Sequence, residues 1–291
     1  MLAVAKKLAG LLGVDARALY QSLSAASVRA AIEAQDLEPV CARLRQIVPD
    51  LRDQYTGSFD DAEYRRYWEP KMRGLHAWQT LLVMDALGRI GRDGLTLADI
   101  GDSSGNHGLY IKALAPAGKI ARFVSVNLDP VAIAKVRAKG GEAVLSRAEE
   151  LDLAGIRPDL FVMLQTLEHL TDPVRFLHTL ALKGGDDWMC VTVPYRRASR
   201  FGGAHLRLPE QAMPETLTAE DVHVYEFSPE DWALLARFAG WRVVHPALYR
   251  QYPPRLPWRL TAPLWRALDF EGFFGMILAR DLSLARRYAG W

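Results

Sequence analysis

Apolar positions recur at helical spacing in the first part of the chain, in Val28, Ala31 and Ile32 and again in Leu75, Trp78, Leu81 and Leu82, and nothing there alternates with period two. The spacing predicts an all-helical extension or cap over residues 1–92, broken after Pro49 by a loop or short irregular helix across the polar stretch 50–63. The pattern changes at Leu95. Residues 95–101 form a short apolar run ending in glycine, and a polar turn leads into helical periodicity at Leu109, Ile111 and Leu114. A second strand is predicted at 122–127, and Pro130 opens a helix running to about Lys139. A weaker strand follows at 142–145. Residues 160–164 and 188–193 read as buried strands, separated by a helix over 174–182 that Gly184-Gly185 ends. Ser228, Pro229 and Asp231 make a helix start with capping-box spacing, and that helix runs to about Phe238. Residues 241–245 and 273–278 are the sixth and seventh strands.

Strands alternating with helices at this spacing imply βαβ units and a mostly parallel sheet with helices on both faces. The expected fold is therefore α/β: a doubly wound, mostly parallel seven-stranded sheet over 93–291 with an N-terminal helical extension. A polar, proline-containing connection at 195–225 and a proline- and tryptophan-rich insertion at 247–272 interrupt it.

Composition narrows the class. Half of the 291 residues are hydrophobic and 24% are charged, which suits a soluble globular protein and argues against wholesale disorder. A net charge of +2 gives no reason to expect a nucleic-acid partner. The two cysteines, Cys41 and Cys190, have no metal-ligand neighbour at short spacing, so neither a disulfide framework nor a metal site is expected. At the start, Lys6 and Lys7 precede an apolar run, which fits either a signal peptide or an amphipathic first helix; the shortness of the run and the charges of Asp15 and Arg17 favour the helix. The expected location is cytoplasmic. In the last forty-five residues seven arginines face three acids with Trp258, Trp265 and Trp291 interleaved; packing against the sheet is favoured there over a membrane-surface contact.

In an open parallel sheet, ligands sit beyond the carboxyl ends of the strands where strand order reverses, so the first strand-to-helix turn is the place to look. It reads Asp99-Ile-Gly101-Asp102-Ser103-Ser-Gly105-Asn-His107. Two glycines let backbone approach a ligand, and the following helix offers free N–H groups. Asp99-Ile-Gly-Asp-Ser-Ser-Gly105 resembles the first motif of the class I S-adenosylmethionine-dependent methyltransferases, with Ser103 in place of the middle glycine. The run 158–173 with Glu168-His169-Leu, the stretches 182–185 and 193–194, and His223-Val-Tyr-Glu-Phe-Ser228 leading to Ala239-Gly-Trp241 resemble the same family in the same order. The resemblance covers about 95–280 and implies a Rossmann-like domain with S-adenosyl-L-methionine as cofactor and a small or medium-sized acceptor, a sugar or glycan-precursor hydroxyl being the preferred subclass.

On that resemblance the cofactor would meet Asp99, Gly101, Asp102, Ser103, Gly105, His107, Asn127, Leu128, Arg147, Ala148 and Gln165. Two positions depart from it. Asn127 stands where the family carries an acid for the ribose hydroxyls, with Asp129 as the nearby carboxylate, and Arg147 stands where an acid meets the adenine amino group. These departures keep open a domain that has retained the fold and lost the cofactor, serving as an interaction module. A nicotinamide-dependent oxidoreductase is disfavoured because the turn lacks Gly-x-Gly-x-x-Gly spacing. A hydroxyl acceptor calls for a general base, and His169 and His223 are the catalytic candidates, with a structural role equally open for His169. Tyr195, Arg196, Arg197 and Arg200, with the 247–272 segment and the helical extension, would bound the acceptor; the arginines either pair with its anionic groups or form a solvated loop.

Overall fold

The computed structural model describes residues 16–54, 60–151, 155–183, 188–217, 222–253, 258–268 and 270–288. The chain divides into two compact units, one of 79–248 with 273–291 and the other of 1–78 with 249–272.

The first of these is built on the sheet. Its strands are β1 (Leu95–Ile100), β2 (Ile120–Asn127), β3 (Glu142–Leu145), β4 (Leu160–Leu164), β5 (Trp188–Pro194), the short pair β6 (Arg200–Phe201) and β7 (Tyr225–Glu226), then β8 (Trp241–Arg250) and β9 (Gly272–Arg280). Seven of them form one sheet in the order β3-β2-β1-β4-β5-β9-β8. β1 pairs in parallel with β2 on one side and β4 on the other, so strand order reverses between β1 and β4. β9 runs antiparallel to β5, with Cys190 opposite Ile277. The seven strands expected from the sequence are thus present; the sixth extends five residues beyond the apolar run that announced it. The core lies among Ile100, Met163, Leu177, Val191, Trp232, Trp241 and Met276, all buried. All five residues of β4 are buried, which is why it reads as an unbroken apolar run. Trp232 and Trp241 place their indole N–H groups on the carbonyls of Pro194 and Leu177, which lets such large side chains be buried without an orphan donor.

Helices α4 (Asn106–Leu114), α5 (Pro130–Ala138), α6 (Pro173–Lys183) and α7 (Pro229–Phe238) connect the strands. Three of them begin with proline, which fixes φ where no N–H partner is needed. Ser228 caps α7 by accepting from the N–H of Asp231, as its position predicted. The glycines expected to end α6, at 184–185, lie outside the described residues.

The other unit is helical: α1 (Ala16–Ala34), α2 (Glu38–Ile47), the first part of α3 (Glu69–Ile90) and the small α8 (Ala262–Ala267). In the stretch expected to be irregular, Asp60 caps a short turn by accepting from the N–H groups of Ala62 and Glu63, and a π-turn at Tyr64–Trp68 runs into α3. The sequence reading put the boundary at 92 and gave 247–272 to the sheet domain. Residues 249–272 instead fold with the helices, because α1 holds their backbone. Gln35 donates to the carbonyl of Arg250 at 2.9 Å and accepts from its N–H at 3.1 Å, and Ser27 donates to the carbonyl of Gln251. Tyr249 stacks on Trp78 at 5.7 Å. Trp265 is buried here against Phe270, while the side chain of Trp258 and the whole of Trp291 are outside the described residues, as is the expected first helix at 1–14. No helix among the described residues is long and apolar enough to cross a membrane.

Candidate active site

The site grows from the turn after β1. Gly101 and Gly105 both have left-handed backbone, with φ of 93° and 78°. A Cβ on Gly101 would overlap the side chain of Thr166, which follows β4, so glycine is required there on two counts. Gly105 caps α4 without a side-chain hydrogen bond.

Asp102 organises this turn. One carboxylate oxygen accepts from the N–H groups of Ser104 and Gly105, and the other accepts from the Ser125 hydroxyl on β2 at 2.6 Å. Asn127, at the end of β2, donates to the Asp102 carbonyl at 3.1 Å and accepts from the N–H of Asp129 at 2.8 Å. Asp129 in turn caps α5. Both amide atoms of Asn127 thus shape the loop, and the nearby Asp129 carboxylate is bound to its own helix. Lys139 braces the turn from outside, donating to the Ser104 carbonyl and the Asn106 side chain.

Asp99 is buried beneath the turn, and His107 Nδ1 stands 3.5 Å from its Oδ2. Burial pushes the Asp99 carboxyl up to about 6, against the opposing pull of His107. For His107 burial acts to lower the pKa, but the Asp99 carboxylate outweighs it and holds the imidazole above its usual range. Leu128 is exposed just past β2, whereas Ala148 is buried in the core. Arg147 projects outward, 4.0 Å from Glu149, and Ser103 is half-buried in the turn. Gln165 takes φ of 60° at the exit of β4, and its side chain turns away to Thr192 on β5.

A second cluster lies beyond β4. Glu168 is fully buried, and neither carboxylate oxygen has a hydrogen-bond partner among the described residues; burial raises its pKa. His169 Nε2 stands 3.8 Å from Glu168 Oε1, while its Nδ1 donates to the Val222 carbonyl at 2.8 Å. The β6–β7 ribbon folds the 195–225 connection back and brings His223 onto His169, ring to ring at 5.0 Å. Glu226 binds His223 Nδ1 at 3.1 Å and pairs with Arg196 and Arg200. Burial acts to raise the Glu226 pKa, but His223 and the two arginines pull it down to about 2. The two arginines expected to greet an anionic acceptor are therefore engaged with Glu226; Arg197 remains exposed and Tyr195 is buried. Elsewhere His76 is buried beside Gln54, and His245 is exposed beside Asp85.

The sequence analysis gives no role to Ser125, Thr166 or Glu226, and names Glu168 only as part of a motif. The one available signal was a lone serine in the apolar strand β2.

Comparison with known proteins agrees with this architecture. Residues 100–181 match a family model described as a methyltransferase domain. A putative sarcosine dimethylglycine methyltransferase from Galdieria sulphuraria is similar at 11% identity with a TM-score of 0.52, over 84% of this chain and 98% of that one. The 1,6-didemethyltoxoflavin-N1-methyltransferase of Burkholderia thailandensis, solved with 1,6-didemethyltoxoflavin and S-adenosylhomocysteine, gives 17% and 0.50 over 71% and 78%. The [4+2]-cyclase SpnF gives 13% and 0.50 over 87% and 97%. No curated protein matches the chain. At these identities the likeness to solved structures is one of fold. The family match is confined to 100–181, and the sheet-based unit around it has the Rossmann-like fold of the similar structures.

Proposed function

We infer that this chain methylates a hydroxyl on a small or medium-sized acceptor, with sugar or glycan-precursor hydroxyls the first class to test. One observation carries the reading: Gly101 and Gly105, both left-handed, shape a turn without side chains at the reversal of strand order, over the buried Asp99. The residues present fit the cofactor: both glycines leave the turn without side chains, and Leu128 offers an exposed apolar surface past β2. Gly101, Gly105 and the N-terminus of α4 would hold its amino-acid end, with Leu128, Arg147 and Ala148 on the adenosine side. When bound, S-adenosylmethionine supplies an electrophilic methyl group on a sulfonium. The chain has then to orient an acceptor oxygen and provide for its proton. The ring contact of His169 and His223 beyond β4 supports assigning that work to this pair.

The rival reading, an interaction domain without cofactor, draws on the inward commitment of Asn127 and the outward Arg147, and on a cyclase being as similar in fold as a methyltransferase. Thermal midpoints separate the two. A ligand at about a hundred times its Kd stabilises by about 2.7 kcal/mol, or about 5 to 10 °C here. Such a rise with S-adenosylmethionine or S-adenosylhomocysteine, and none with nicotinamide dinucleotides, is expected. No shift at millimolar ligand would leave the interaction domain standing. Incorporation of labelled methyl into a panel of sugars, sugar nucleotides and small acids then tests the acceptor class, and failure of every sugar removes that subclass.

A further inference from the structure

We propose that Glu168, His169 and His223 bind one divalent transition-metal ion. One ligand atom from each lies within 4.8 Å of those of the other two. Two imidazoles and one carboxylate are a recurring donor set for zinc and other first-row divalent ions in sites that keep open positions. Metal–ligand distances of about 2.0–2.1 Å put neighbouring tetrahedral ligands about 3.4 Å apart. Glu168 Oε1 and His169 Nε2 stand 3.8 Å apart, so that pair has only about 0.4 Å to close.

Two further observations point to a ligand. Glu168 is wholly buried with both carboxylate oxygens unpartnered among the described residues, an arrangement that is costly unless something positive completes it. The histidines are also oriented as metal ligands are. His169 gives its Nδ1 hydrogen to the Val222 carbonyl and His223 gives its own to the Glu226 carboxylate, so in each ring the lone pair is left on Nε2. Arg196 and Arg200 hold Glu226 in place for that purpose. The reading of the sequence expected no metal because it judged by cysteine spacing, and this cluster uses no cysteine. Two imidazole nitrogens favour Zn²⁺, Co²⁺ or Fe²⁺ over Mg²⁺, which prefers oxygen. On the methyltransferase reading above, on which this last step rests, an open position of the ion would receive the acceptor oxygen and lower its pKa.

The test is titration of the untagged, chelator-treated full chain with Co²⁺, followed by visible absorption, and with Zn²⁺ by calorimetry. One equivalent is expected to bind, with Co²⁺ ligand-field bands, and an equal concentration of Mg²⁺ should not compete. Glu168→Gln and His223→Gln should each weaken binding at least tenfold, and Glu226→Gln, which frees the His223 ring, about tenfold. Circular dichroism and the unligated thermal midpoint of each variant report folding separately. Absence of Co²⁺ bands and of Zn²⁺ heat at millimolar metal would overturn the site, as would binding that the Glu168 and His223 variants leave unchanged. The S-adenosylhomocysteine shift, measured on the same metal-free sample, keeps the two readings apart. Metal binding without that shift supports the site and counts against the methyltransferase reading, whereas the shift without metal binding does the reverse.

Discussion

Gly101 and Thr166 occupy one space: a Cβ on the glycine at the end of β1 would fall inside the threonine side chain that follows β4. Two loops from neighbouring strands therefore close on each other only because one contributes no side chain. Gly101→Ala adds backbone strain of about 1–3 kcal/mol to an overlap of similar cost. A loss of at least about 2 kcal/mol is expected in urea unfolding. Thr166→Gly in the same chain removes the overlap but not the strain, and should restore part of the loss. Full stability in the single variant would mean that the turn relaxes freely.

Asp102 is a carboxylate spent inside the protein. Removing it as Asp102→Ala strands two buried N–H groups and the Ser125 hydroxyl, each costing about 1–3 kcal/mol when unpaired. We expect more than about 2 kcal/mol of destabilisation and a weaker S-adenosylhomocysteine shift. Asp102→Asn retains one acceptor oxygen for the turn, and Ser125 can rotate its hydroxyl to accept from the new amide, so its effect should be smaller. Equal behaviour of the two variants would show that the hydrogen bonds do not hold the turn.

The buried Asp99 gives the site a pH dependence whose sign is fixed. Its carboxyl titrates at about 6 in the folded chain against an ordinary value of 3.8. Between those values the folded state keeps a proton that the unfolded state releases, so this residue's contribution to stability falls as pH rises through the window. S-adenosylmethionine is cationic and favours the ionised carboxylate, so its affinity should rise with pH through about 6. Asp99→Asn should flatten both trends. Affinity that stays level from pH 5 to 7 in the unsubstituted chain would place Asp99 outside the cofactor's reach.

The elements of this protein were legible because their signals are local. The all-apolar β4, the proline at the head of α5 and the Ser228 cap each speak through residues within a few positions of one another, and so does the glycine turn after Asp99. The strand-by-strand sequence therefore determined the sheet and the turn. Pairings across the sheet were another matter. That Asp102 bonds Ser125, that Thr166 presses on Gly101, and that Asn127 shapes the loop depend on β1 lying between β2 and β4, which no local period encodes. The same holds for Gln35 pairing with Arg250, which draws 249–272 to the helices. It holds again for His223, carried to His169 by a two-residue ribbon too short to leave a strand signal. Sequence fixes what a segment becomes through short-range sterics and periodicity; which side chains share a buried, low-dielectric space, and hence which must find a partner there, is decided only when distant segments pack.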